Sequence, residues 1–164
     1  MKCPQCGNKS MTASRENVSW GALAGVILVD IPVQRCPKCG EHTEEYRALG
    51  PLGNAIAVTV AQRSERLTGA EVRFLRSHLE LNGAEFARVV GSTSSTIARW
   101  ENQRQPVGLH AELLIRAMIL LKHGIVTTPA SIQSMARATG TPSLLHFTYR
   151  AGQWRLQDVR KAAA

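Results

Sequence analysis

Two near-copies of one pentapeptide, Cys3-Pro4-Gln5-Cys6-Gly7 and Cys36-Pro37-Lys38-Cys39-Gly40, constrain this chain more than any other feature. They contain all four of its cysteines. In each copy the chain must turn so that both sulfurs face one point. Proline fixes φ inside the turn, and the glycine after the second cysteine can take positive φ, which leaves nearby N–H groups free to donate to a thiolate. Two such knuckles brought together form a tetrahedral four-sulfur site with no open position, the geometry of a structural metal. One zinc ion per chain, held by Cys3, Cys6, Cys36 and Cys39, is the first expectation, and iron suits the same four sulfurs. Paired disulfides need an oxidising compartment, and no apolar leader follows Met1. A redox dithiol would need a single pair on a βαβ unit. His42, three residues past Cys39, reads as a solvated neighbour of the site.

Between the knuckles, Ser14 to Trp20 and Val26 to Val33 read as two strands joined around Gly21 to Gly25. A ribbon this small has little core, so its fold depends on the metal. Trp20 reads as packing for the small sheet. Gly50-Pro51-Leu52-Gly53 is punctuation, and Asn54 to Arg66 reads as a short helix between the two halves of the chain.

From Leu67 the pattern is helical. Thr68-Gly69-Ala70-Glu71 has the capping-box spacing and opens a helix with Val72, Leu75 and Leu79 on one face. Asn82 caps a second, short helix carrying Phe86, Ala87 and Val90. After the turn at Gly91-Ser92, Thr93 caps a third helix through Asn102. Two short helices joined by a tight turn make a helix-turn-helix, whose second helix enters the DNA major groove. Ile97 and Trp100 point inward on that helix, which leaves Ser94, Ser95, Ala98 and Arg99 as base-reading candidates. Arg99 has the fork to grip a guanine edge. Asn82, Thr93 and Arg104 are the phosphate-contact candidates.

Leu109 to Leu121 is apolar nearly all round, which calls for burial on two sides: the domain core and a two-fold partner. A homodimer through residues 67–123 would set two recognition helices one DNA turn apart on a palindrome. Beyond His123, Thr128-Pro129 starts a helix that stops at Gly140. Leu145 to Leu156 alternates as a β-hairpin about Ala151-Gly152-Gln153, expected to pack its aromatics on the helical core. Aromatics beside arginines there could also serve as a nucleic-acid arm or a ligand module. Gln157 to Ala164 reads as a frayed tail.

Charge refines this picture. The formal net charge is +8. Residues 67–121 contribute six basic and five acidic side chains, whereas residues 122–164 contribute six and one. The argument for DNA binding therefore rests on geometry and motif, with most of the basic excess in the tail. The longest apolar run, Trp20 to Val29, is too short to span a membrane, so no membrane partner is expected and the cytoplasm is the expected location. The five histidines are scattered, without a nucleophile or carboxylate cluster, so no enzymatic activity is expected.

Leu67 to Asn102, and above all Ser95-Thr96-Ile97-Ala98-Arg99-Trp100-Glu101-Asn102, resembles the Xre or lambda-repressor-like helix-turn-helix family. With the double CPxCG ribbon ahead of it, the chain over residues 1 to 121 resembles the MqsA-type antitoxins, also called the YgiT-type zinc-finger/helix-turn-helix group. Met1-Lys2-Cys3-Pro4-Gln5-Cys6 and Ile31 to Glu41 carry that likeness. The resemblance implies a structural zinc ribbon that docks a protein toxin. It also implies a dimerising C-terminal domain that binds a palindrome in its own promoter, with base reading at Ser95 and Arg99. Ser95 stands where relatives commonly carry an amide and Gly83 where they often carry Gln, so the operator sequence does not carry over.

The expected fold class is therefore mainly α with a small β zinc ribbon, with a lambda-repressor-like bundle and a small C-terminal helix plus hairpin. The expected boundaries are a zinc-ribbon domain over 1–50 and a linker helix over 51–66. A DNA-binding and dimerisation domain over 67–123 and an extension over 124–164 complete the chain. The expected function is an autoregulating repressor of antitoxin type that binds double-stranded DNA. The alternative is a stand-alone regulator whose zinc site or C-terminal extension senses metal, redox state or a small ligand.

Overall fold

The computed structural model describes residues 2–138 and 142–157. The expected stop at Gly140 and the tail beyond Gln157 lie outside the described residues. Two compact units emerge. One gathers residues 2–20, 25–49 and 144–157, and the other gathers 21–24, 50–138 and 142–143.

The first unit is a five-stranded sheet. β1 (Thr12–Ser19) and β2 (Val26–Arg35) pair antiparallel, with a register shift between Glu16 and Val18. Opposite that shift Asp30 takes φ 61°, held by Arg15, whose Nη1 donates to the Asp30 carbonyl and to Oδ2. The extra residue lets Val26, Leu28, Ile31 and Val33 all point into the core although the spacing changes midway. β3 (His42–Glu44) pairs antiparallel with the far end of β2.

The C-terminal hairpin, β4 (Leu145–Arg150) and β5 (Gln153–Leu156), forms about the expected turn. Its place differs from the expectation. β4 runs parallel to β2, Leu28 opposite Phe147, so the hairpin extends the zinc-ribbon sheet and belongs to that unit. Leu145, Phe147 and Trp154 are buried, and the Trp154 Nε1–H donates to the Arg47 carbonyl. Gln157, expected to fray, continues the pairing with its N–H on the His146 carbonyl. Among the described residues the chain is mixed, six helices with a five-stranded sheet, so the β share is larger than the small ribbon expected.

The second unit is helical. α1 (Leu49–Gln62) starts earlier than expected, because Gly50 and Pro51 fall within its first turn. Proline is tolerated there, where its missing N–H would have no intrahelical partner. Leu52, Ile56, Ala57, Val60 and Ala61 are buried, so α1 is part of this unit's core and not a free linker. α2 (Gly69–His78) and α3 (Gly83–Val89) begin with complete capping boxes, Thr68 with Glu71 and Asn82 with Glu85. α4 (Ser94–Glu101) is capped by Thr93 and α6 (Pro129–Ser134) by Thr128. Between these two, α5 (Leu109–Lys122) buries Ile115, Ile119 and Leu120 together with Glu112 and Arg116. Its other side leaves Leu109, Leu114 and Leu121 exposed, Leu121 by 78%. After α6 the chain returns to the α1–α2 connection, where the Ala138 N–H donates to the Ser64 carbonyl.

Candidate metal centre and nucleic-acid face

The two knuckles fold as the same turn. The Cys3 N–H donates to the Asn8 carbonyl and the Gly7 N–H to the Cys3 carbonyl; Cys36 with Glu41 and Gly40 with Cys36 repeat the pattern. Gly7 and Gly40 sit at φ 69° and 77°, a region that favours glycine. Cys3 lies 3.6 Å from Cys39 and Cys6 3.6 Å from Cys36, sulfur to sulfur, and all four sulfurs fall within 4.8 Å of one another. A tetrahedron with Zn–S bonds of about 2.3 Å has edges of about 3.8 Å, close to the two 3.6 Å separations, so the four thiols are spaced to hold one zinc ion.

The chemistry of the donors agrees. Burial alone would push the Cys36 thiol up, but the Cys39 and Lys38 N–H groups and the Asn8 amide donate to its sulfur and lower it to about 6. The Glu41 N–H favours the Cys39 thiolate, yet burial and the three neighbouring sulfurs outweigh it and raise that thiol to about 12. Four thiolates cannot share this space unless a cation neutralises them, which is what a bound dication supplies. The Asn8 contact, Nδ2 to Sγ at 3.7 Å, was invisible in the spacing motif because a lone asparagine carries no pattern. His42 stays outside the cluster, beside Glu44 at 3.4 Å. The four cysteines thus form a closed site for a structural zinc ion.

In the helical unit, Ile97 and Trp100 face inward at 2% and 6% exposure, while Ser94, Ser95, Ala98 and Arg99 are all exposed. The Arg99 Nη2 donates to Thr96 Oγ1 at 3.0 Å. Thr93 Oγ1 accepts from the Thr96 N–H and lies 3.0 Å from Ser95 Oγ. Asn82 Oδ1 accepts from the N–H groups of Ala84 and Glu85, and the Glu85 carboxylate closes on the Asn82 N–H. The start of α3 is thereby occupied by its own capping groups.

Three features escaped the sequence reading. Glu101 is no solvated residue: Arg76 Nε reaches it at 2.6 Å and Arg73 Nε at 3.3 Å, so two arginines of α2 clamp the end of α4. Gly69 lies where an added Cβ would run into the Trp100 and Glu101 carbonyls, which marks a close approach of α2 and α4. The pairing of charges is the third. Arg63, Arg66, Arg73, Arg76, Arg116 and Lys122 each meet a carboxylate. Among the described residues, Arg88 on α3, Arg99 on α4 and Arg104 just beyond it form no ion pair and are exposed. Within residues 67–121, the three arginines that meet no carboxylate are thus the one on α3, the one on α4 and the one just beyond it, while Arg137 of the same unit is likewise exposed and without an ion pair among the described residues. No single residue signals this, because it depends on which arginines find acids in three dimensions.

Among the described residues no helix is long and apolar enough to cross a membrane. No curated protein matches the chain. The family model of MqsA, described as the antitoxin component of a bacterial toxin–antitoxin system, matches residues 1–124, which include the four-cysteine site and α1 through α5. By that match, and with the cysteine cluster in place, the chain belongs to the MqsA antitoxin family.

Proposed function

We propose that this antitoxin is also a repressor that binds a palindromic operator in its own promoter, in the cytoplasm and without catalysis. α3 and α4 act as a helix-turn-helix, with α4 in the major groove. Arg99 reads a guanine edge, Ser95 and Ser94 bond neighbouring bases, and Ala98 allows close approach. Arg104, with Thr93 and Arg88, holds the phosphates; Asn82 contributes by fixing the start of α3. Two chains pair through the apolar side of α5 that leaves Leu109, Leu114 and Leu121 exposed. The zinc-ribbon unit docks the toxin, and repression is steric.

The observation that carries this reading is that the exposed positions of α4 hold small side chains beside Arg99, and that Arg88, Arg99 and Arg104 are exposed with no ion pair among the described residues. Membership of an antitoxin family favours it over a stand-alone sensor. The test compares Arg99→Ala with the parent chain on promoter DNA and on random duplex. Loss of a bidentate base contact should weaken promoter binding by about 1–3 kcal/mol and leave random-duplex binding far less affected. Equal losses on both would remove Arg99 as a base reader.

A further inference from the structure

His78 closes α2 and His123 follows the last turn of α5, forty-five positions apart in sequence. Their Nε2 atoms lie 2.9 Å apart, with ring centroids at 5.1 Å. The centroid distance exceeds the nitrogen distance by almost the sum of the two ring radii, the most it can, so the nitrogens point at one another. That is the geometry of one N–H···N bond, since two nitrogens chelating a metal would converge on a point beside the line joining them. Both rings are half-buried, and Phe74 packs on His78 with centroids 6.1 Å apart. The charged groups around the pair are Lys122 and Glu80. Lys122 Nζ donates to the His78 carbonyl at 2.6 Å and to Glu80 Oε1 at 3.0 Å. α4, also packed on α2, presents Glu101, which Arg73 and Arg76 already occupy.

We propose that His78 and His123 form a proton-operated latch between α2 and α5, closed by one shared proton and opened when both imidazoles are charged. In the neutral pair one ring donates Nε2–H and the other accepts on bare Nε2 while carrying its own hydrogen on Nδ1. A first proton from solvent enters at the free Nδ1 of the donor ring and leaves the bridge intact, now charge-assisted. A second has only the accepting Nε2 left to take it. Two N–H groups then face each other across the gap, both rings are cationic beside Lys122, and the bond is lost.

The direction of titration agrees. Burial, then the neighbouring His123 and Lys122, hold His78 below the ordinary histidine value, against the smaller opposing pull of Glu80. A histidine depressed in the folded state favours folding fully above its unfolded value of 6.5, and that contribution is lost as pH falls from there through the folded value. Acidification thus loosens the helical unit at the joint between α2, which supports α4, and α5. This inference stands on the ring geometry and does not require the DNA-binding reading.

The test is an imidazole NMR titration of the zinc-loaded full chain, with exposed His110 as the internal reference. Expected is a split pair, one member titrating below the other and below His110. His78 and His123 both titrating alongside His110 would overturn the latch. His123→Gln keeps a hydrogen-bonding group but no second charge, and it should flatten the fall in unfolding midpoint on going from about pH 7.5 to about pH 5.5. An unchanged slope in that variant would equally overturn it. Should the variant fold poorly, the parent titration still decides.

Discussion

Glu112 and Arg116 face each other one turn apart on α5 at 2.8 Å, and neither side chain reaches solvent. Around this pair the connection from α1 to α2 is tied down. Arg66 Nε and the Leu67 N–H donate to Glu112, and Arg116 donates to the carbonyls of Val60, Ala61, Arg63 and Glu65. Two of those carbonyls end α1 and lack helical partners, and a buried cation there also meets the negative end of the helix dipole. Removing either charge strands the other in the core. Arg116→Met should therefore cost about 3–5 kcal/mol in urea unfolding, with Glu112→Gln in the same direction. A loss below about 1 kcal/mol would mean that water reaches the pair.

That pair also marks where sequence reading reaches its limit. Caps, knuckles and helix starts are local: Thr68 with Glu71, Asn82 with Glu85, and glycine after each second cysteine announce themselves within a few residues, and the fold matches them. Glu112 and Arg116 carry no local sign of burial, because the groups that satisfy them lie about fifty positions upstream. The hairpin was recognisable as a hairpin, but a parallel pairing of β4 with β2 is a contact across more than a hundred residues that no local period encodes. At the metal the ligands were legible from spacing, whereas Asn8 and the charge pairing around α4 were not.

The zinc site should respond to pH through its thiols. Cys39 sits near 12 without a cation, so metal binding must release its proton, and affinity falls as pH falls. Zinc release to a chromophoric chelator should rise steadily from about pH 8 to about pH 5. Cys36→Ser should remove zinc and unfold the ribbon while the helical unit keeps its circular-dichroism signal and the proposed promoter binding. Loss of both together would show that the two units do not fold independently.

Gly69 tests the close approach of α2 to α4. A methyl group at this position would press on the Trp100 and Glu101 carbonyls, which are backbone and cannot swing away as a side chain does. Gly69→Ala should thus be destabilising by about 1–3 kcal/mol although alanine is the better helix former. Since it displaces the end of α4, it should also weaken promoter binding without touching DNA. Unchanged thermal stability would mean that the two helices separate at little cost.

Removal of residues 144–157 asks what the hairpin does for the ribbon. This segment lies beyond the residues that the family model matches, yet it supplies the strand beside Val26–Val29 and the Leu145 N–H that donates to the Gly25 carbonyl. Leu28, with no exposed surface, would lose Phe147 as its neighbour, and Trp154 would no longer cover the chain at Arg47. Each buried apolar side chain of that size contributes about 1.5–3 kcal/mol, so losing Leu145, Phe147 and Trp154 together should be severe for a sheet this small. The cysteines are untouched, and zinc stoichiometry should stay at one per chain. Amide exchange should therefore accelerate at Val26–Val29 while the knuckles remain protected. If Val26–Val29 kept their full protection, the metal and β1 would be enough to hold β2, and the hairpin would have to be explained by something other than stability.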